Sequence, residues 1–284
     1  MIELIALCIA LIGSSVGAMW DLKTTEIPDQ IPHFMIICGL IMAIILSYQQ
    51  WSYWPLLNSI IAGCSLLGFG ALMYYCGQWG GGDAKILSSI GFLIPNLSIG
   101  KELLFPFPVS YLLNIFIIGA AYMIVYAFVV ALLNRKIYKK FKSDMKASVN
   151  LLLITSISLF VVFIGINWYI SNLLSFFDAN FIIKNSLIPL FLVIGLFVIW
   201  RFAKAVEEIG FKRRIPASKL KIGDILADSK LLDGISKKEW LKIRRTKRFV
   251  SIKEGVRFAP TFPLALLYTL FFGDAIIIFI NFVI

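Results

Sequence analysis

Residues 56–83 read LLNSIIAGCSLLGFGALMYYCGQWGGGD, and this stretch decides the fold. No charged side chain occurs in it before its last residue, Asp83. Its apolar part, about 56–76, has the length of a bilayer crossing, which takes about 20 residues. Hydrocarbon offers no partner for backbone N–H and C=O groups, so a run of this kind must be helical. The run ends in Gly80-Gly81-Gly82-Asp83, a glycine-rich approach to a carboxylate at the end of an apolar segment.

Working outward, the same pattern recurs. Apolar spans are expected at about 2–20, 34–50, 56–76, 84–99, 109–133, 149–170, 186–203 and 260–283, eight in all. The runs are too continuously apolar for barrel strands, which alternate. The fourth is interrupted near its far end by Pro95, Asn96 and Gly100. Composition agrees: 60% of the 284 residues are hydrophobic, 15% are charged and the mean hydropathy is +0.88. One soluble core could not hide that much apolar surface. The first run reads as a retained span and not a cleavable signal. Glu3 stands where a basic region would be, and the run ends at Trp20-Asp21 with no small-x-small site. The expected class is therefore an all-α polytopic membrane protein.

The polar stretch 204–258 is the exception and reads as a small α+β domain before the last span. Leu220–Leu226 is strand-like around a turn, Ser236-Lys237-Lys238-Glu239 is a capping box opening a helix to about Lys247, and Phe249–Ile252 is strand-like again. The expected division is a helical membrane part over 1–203, the polar domain over 204–258 and a final span over 259–284.

Basic residues orient the chain. With the N-terminus outside, one face carries Lys23, Lys85, six basic residues from Arg135 to Lys146 and seventeen from Arg201 to Arg257, which is 25 of the 27 Lys and Arg. Only Lys101 and Lys184 lie opposite. The positive-inside rule then places Asp21 and Asp83 on the cytoplasmic face. The formal net charge of +11 raises nucleic acid as a partner. The basic residues flank spans, so membrane lipid is the partner expected and nucleic acid is not.

Asp21 stands at the end of the first span as Asp83 stands after the third. A lone aspartate at a span end is ordinarily a solvated cap. Two carboxylates at the same membrane face can instead share a proton and activate a water between them. The three glycines before Asp83 permit φ > 0 or a close backbone approach, or form a plain turn. Asp29, Asp178 and Asp274 lack such an approach. Cys8, Cys38, Cys64 and Cys76 lie in apolar runs without a CxxC pair, so packing is expected of them and no metal site. His33, the single histidine, reads as an interfacial packing residue that could also touch the site.

Asp21-Leu22-Lys23-Thr24-Thr25-Glu26-Ile27-Pro28, Gly80-x-Gly82-Asp83-x-Lys85 and the closing Gly255-Val256-Arg257-Phe258-Ala259-Pro260 together resemble the type IV prepilin peptidase family, in particular its archaeal prepilin and preflagellin branch. The resemblance covers 1–99 well and 215–284 in outline, while 100–200 carries no recognisable motif. It implies a membrane aspartic endopeptidase with Asp21 and Asp83 as catalytic aspartates. Gly80, Gly82 and Lys85 match the supporting motif. The implied partner is a pilin or archaellin precursor with a short basic leader and an apolar helix. Neither a metal nor an organic cofactor is implied. The family's Asn after Ile-Pro is replaced here by Asp29, with His33 nearby, and no cysteine-rich insertion is present, so methylation is not implied. Substrate-binding residues, and which aspartate is acid and which base, stay open.

Three other readings are weaker. A presenilin or signal-peptide-peptidase type of protease would carry a YD and a PAL element, and here Trp20-Asp21 and Pro263-Leu264-Ala265-Leu266 stand instead. A proton- or cation-coupled transporter predicts mid-span carboxylates and broken helices. A non-catalytic scaffold would keep the aspartates as relics.

Overall fold

The structure is a computed structural model that describes residues 2–96, 100, 103–174, 178–227, 229, 234–253 and 255–277. The far end of the expected fourth span (97–99), that of the last span (278–283), and Lys101 lie outside the described residues. The chain divides into two compact units, one formed by Met1–Tyr126 with Arg213–Ile284 and the other by Ala127–Lys212.

In the first unit, helices α1 (Ile2–Thr24), α2 (Gln30–Gln49) and α3 (Trp54–Tyr75) surround the short helix α4 (Gly81–Leu93), and α9 (Thr261–Phe272) lies against α1. Helix α5 (Phe107–Leu133) begins in this unit. Small residues allow the close approach of α4. A Cβ on Gly70 of α3 would stand 2.8 Å from the Cα of Ala84, so only glycine fits there. Ile86, Leu87 and Ile90 of α4 are fully buried and join Met35, Leu66, Tyr111, Phe262 and Leu266 in one core. The outward faces of the long helices stay apolar, with Ile12, Ile41 and Ile61 exposed, as helices facing lipid are.

Among the described residues, six helices are long and apolar enough to cross a membrane: α1, α2, α3, α5, α6 (Arg135–Leu173) and α7 (Ala179–Val206). They coincide with six of the eight expected spans. The other two expected spans correspond to α4 and α9, of 13 and 12 residues, short of the length a crossing takes. Proline explains the first. Ile94 is driven to φ −129°, ψ 73° before Pro95, away from the helical region, so α4 stops at Leu93 and does not run to 99. Gly273, at φ 77°, ends α9.

In the second unit, α6 and α7 pair. The basic stretch 135–148, which lies between the expected spans 109–133 and 149–170, is the first third of the 39-residue helix α6. Asn134 caps its start by accepting from the Lys136 N–H at 3.1 Å, and no glycine or proline interrupts 135–148. At about 1.5 Å per residue the helix is far longer than the hydrocarbon is thick. Lys140 pairs with Asp144 and Glu208, each at 3.2 Å.

The polar stretch forms a three-stranded sheet of order β1 (Lys212–Pro216), β3 (Phe249–Lys253), β2 (Ile225–Leu226), with helix α8 (Lys237–Thr246) beside it. The expected capping box is present. The Ser236 hydroxyl accepts from the Glu239 N–H, and Glu239 accepts from the Ser236 N–H at 2.9 Å. Ala217, Leu220, Ile235 and Val250 form a small core, and the Trp240 indole donates to the Leu220 carbonyl at 2.7 Å. Ahead of this sheet, α7 continues to Val206 and a π-helical turn follows over Glu207–Phe211.

Candidate active site

The site is built where α1 ends and α4 begins, both in the first unit. Asp21 occupies the last turn of α1. The chain then leaves the helix through Thr25, whose N–H donates to the Asp21 carbonyl at 2.8 Å and whose φ is 61°. A β-branched residue in the left-handed region is strained, and that turn aims Ile27 toward the glycine run. A Cβ on Gly82 would meet the Cβ of Ile27 at 3.0 Å, whereas one on Gly81 meets only Tyr74, at 3.8 Å. Gly80, Gly81 and Gly82 are not among the residues with positive φ. Of the two roles open to the glycines, Gly82 therefore serves close approach.

Gly80 precedes the first turn of α4, with φ −75° and ψ 157°. Its N–H donates to Asp83 Oδ2 at 3.0 Å, so the carboxylate three residues on closes the helix start. Asp21 accepts a backbone N–H of its own, from Ala259 to Oδ2 at 3.0 Å. Both carboxylates are buried, Asp21 at 5% and Asp83 at 9% exposure, and the charge of Asp21 bears on Asp83. Asp83 lies outside the six membrane-length helices. Its carboxyl is pushed up to about 7, first by burial and then by Asp21, against the lowering effect of the Gly80 N–H. The arrangement holds two buried carboxylates, each fixed through one oxygen by a main-chain donor. Such a pair ionises in two coupled steps and holds one proton between them.

The segment before α9 meets this site at Asp21, through Ala259. The Tyr122 hydroxyl donates to the Arg257 carbonyl at 2.9 Å, and Arg257 Nη1 donates to the Tyr126 hydroxyl at 3.0 Å. The Phe258 ring lies 5.6 Å from that of Trp79, the buried residue just before the glycine run. Tyr122, Tyr126, Trp79, Ile27 and Ala259 were given no role by the sequence. Ile27 and Ala259 lay in shared motifs, Asp21–Pro28 and 255–260, without an assigned function.

The remaining candidates lie elsewhere. Lys85 turns to Asp29 and pairs with it at 2.6 Å, across an exposed surface. This pairing holds the Asp29 carboxyl below its ordinary range. His33 Nδ1 lies 2.5 Å from the Asp29 carbonyl within its own helix start, and its ring is exposed. Asp178 caps α7 by accepting from the Asn180 N–H at 2.8 Å. Asp274 is buried and accepts from the Leu104 N–H at 2.5 Å. The four cysteines are free thiols, and no group of three or more His, Cys, Asp or Glu suited to a metal occurs among the described residues.

With this geometry in view, residues 5–128 match the type IV leader peptidase family. Over 93 residues the chain is 34% identical to a preflagellin peptidase of Methanococcus voltae, covering 33% of this chain and 40% of that one. Over 134 residues it is 31% identical to a preflagellin peptidase of Methanococcus maripaludis, covering 44% and 57%. Over 146 residues it is 22% identical to a prepilin peptidase of Methanothermobacter thermautotrophicus, covering 48% and 38%. The matched part thus spans about two fifths to just over half of these relatives. The family match, over residues 5–128, takes in both Asp21 and Asp83.

Proposed function

With residues 5–128 read as a type IV leader peptidase segment, we propose that this protein is a membrane aspartic endopeptidase that removes the short basic leader from type IV pilin-like or archaellin precursors. The observation that supports this reading is that Asp21 and Asp83 are both buried in one compact unit and that the charge of Asp21 bears on Asp83. The two carboxylates, 62 residues apart in sequence, stand at the ends of two different helices, and each is buried and held by a main-chain N–H.

One carboxylate is ionised and takes a proton from water as the water oxygen attacks the scissile carbonyl carbon. The other is protonated and donates to the carbonyl oxygen, giving a neutral tetrahedral intermediate. In the collapse the C–N bond breaks, the carboxyl that took the water proton gives it to the leaving amine, and a hydroxyl of the intermediate returns a proton to the other carboxylate, which restores the starting pair. The chemistry needs no cofactor.

The site faces the cytoplasm of a multi-pass plasma-membrane protein whose N-terminus is outside. The distribution of Lys and Arg supports this orientation, and lipid, not nucleic acid, is the partner of the basic flanks. A leader in the cytoplasm meets the dyad at the interface while the precursor's apolar helix stays among the spans. In this reading 1–203 and 259–284 form the membrane part, and the sheet-containing stretch within 204–258 is cytoplasmic.

The test is incubation of membranes containing the protein with a precursor bearing a basic leader, followed by mass determination of the product. A product shortened by the leader alone is expected. An intact precursor, or cleavage inside the apolar helix, would sink the reading.

A further inference from the structure

We propose that the break at the end of α9 is a binding site for a monovalent alkali cation, held by the carboxylate of Asp274. The peptidase reading gives this residue no role, and the proposal does not rest on that reading.

The break is braced from a neighbouring helix. α9 stops at Phe272, and Gly273 turns the chain at φ 77° and ψ −137°, a conformation open to glycine. The Gly273 N–H still donates to the Thr269 carbonyl at 3.1 Å, but among the described residues no main-chain N–H returns to the Leu270, Phe271 or Phe272 carbonyl. Asn114 of α5 splints the gap. Its Nδ2 donates to the Gly273 carbonyl at 2.9 Å and to Thr269 Oγ1 at 2.8 Å, and its Oδ1 accepts from the Ala275 N–H at 2.9 Å. The Thr269 hydroxyl donates to the Ala265 carbonyl at 2.7 Å. Asn114 and Thr269 are fully buried, and each polar atom of their side chains is engaged.

Asp274 is left with an open valence. It is 3% exposed, and its Oδ2 accepts from the Leu104 N–H at 2.5 Å. Its Oδ1 is buried with no hydrogen-bond partner, and no ion pair reaches it among the described residues. A carboxylate out of water is costly unless a positive charge accompanies it. The main-chain groups left over at the break are carbonyls, at the negative end of the α9 dipole. A free carboxylate oxygen beside the carbonyls of an interrupted helix is a donor set for a hard cation. One carboxylate among neutral oxygens matches a single positive charge, whereas a divalent ion takes more carboxylates. The site is separate from the dyad, because the 12 residues of α9 rise about 18 Å from the end that meets Asp21.

The test is thermal unfolding of the full chain in a neutral detergent, in NaCl, KCl or choline chloride at equal ionic strength. An ion bound only by the folded protein stabilises it in step with the logarithm of its concentration above Kd. Tm should be several degrees higher in NaCl or KCl than in choline chloride, whose cation is too large for a buried site. It should climb further as the alkali salt replaces choline chloride. Asp274→Asn, which keeps the shape and removes the charge, should abolish the difference, while Asp178→Asn should retain it. Equal Tm values for the unmodified protein in the three salts would overturn the proposal without recourse to any variant. An alkali effect that survives in Asp274→Asn would also overturn it. Lys101, three residues before Leu104 in sequence, is the competing source of positive charge. An alkali effect that appears only in Lys101→Met would show that the chain's own ammonium takes the place of the ion, and the proposal would fall.

Discussion

The backbone N–H of Ala259 donates to Asp21 Oδ2 at 3.0 Å, joining residues 238 positions apart. This bond fixes one oxygen of a buried carboxylate and ties the segment before α9 to the end of α1. Asp83 is fixed in the same manner by Gly80, but locally, within the first turn of its own helix. The two anchors differ in what they demand of the chain. The Asp83 anchor forms whenever α4 starts at Gly81, while the Asp21 anchor requires that 255–260 has docked.

Removing the Ala259 donor should therefore impair the site selectively. Ala259→Pro deletes the N–H, whereas Ala259→Gly keeps it. Turnover per folded enzyme should fall on the order of 100-fold in the proline variant, the cost of a shift of about 1 Å in a catalytic group. It should stay within a few-fold in the glycine variant. Equal turnover in the two would show that the bond contributes nothing to the chemistry.

Gly82 offers a steric test. A Cβ there meets Ile27 at 3.0 Å, so the branched side chain of Gly82→Val must displace either the loop 25–29 or the start of α4, and with them Asp21 or Asp83. Gly81→Ala faces ordinary contact at 3.8 Å. Cleavage measured in matched membranes should drop on the order of 100-fold for the first and remain near normal for the second. An active Gly82→Val enzyme would mean that the run is a plain turn.

How much of this was legible in the sequence depends on how local each cause is. Glycine before a carboxylate at the end of an apolar run is a local pattern, so Asp83 and its approach could be read directly, and Asp21 by the same boundary logic. The capping box at Ser236 was legible for the same reason. The strand Lys212–Pro216 was not, because its basic residues show no alternation of apolar and polar side chains, and its pairing with Phe249–Lys253 decides its structure. The basic stretch 135–148 fell outside the expected spans because charge bounds a membrane crossing, yet nothing in it breaks a helix. Arg257 was visible only as part of a shared motif. Its hydrogen bonds join it to Tyr122 and Tyr126, more than 130 residues away in sequence, and no spacing rule connects them.

The pH dependence follows from Asp83. Its carboxyl is held at about 7, above the ordinary carboxylate range, so it keeps its proton below that value and loses it above. The singly protonated pair is the active form, and cleavage should decline as the pH rises through about 7, because the acid is then lost. Initial rates on a precursor peptide between pH 5 and 9 check this. A rate that climbs steadily through 7 to 9 would contradict it.

Orientation is open to direct labelling. Accessibility probes at Asp144 and Lys237 should report the cytoplasmic side, and probes at Gly100 and Ser175 the opposite side, as the distribution of basic residues requires. Ser175 lies outside the described residues, but it is placed by sequence between α6 and α7. A cytoplasmic signal at Ser175 would show that α6 and α7 do not cross as a pair.

The most direct test of the central claim is cleavage of a leader-bearing precursor by the Asp21→Asn and Asp83→Asn proteins, with product mass as the readout. Asn keeps the shape of the side chain but can neither act as base nor hold the shared proton. Both variants should express and insert normally and yield no leader-shortened product. Asp178→Asn, which alters only a helix cap in the other unit, should cleave as the unmodified protein does. Asp274 is a poorer control because it is buried and accepts from Leu104. Near-normal cleavage by either Asp21→Asn or Asp83→Asn would contradict the dyad and with it the account of the site.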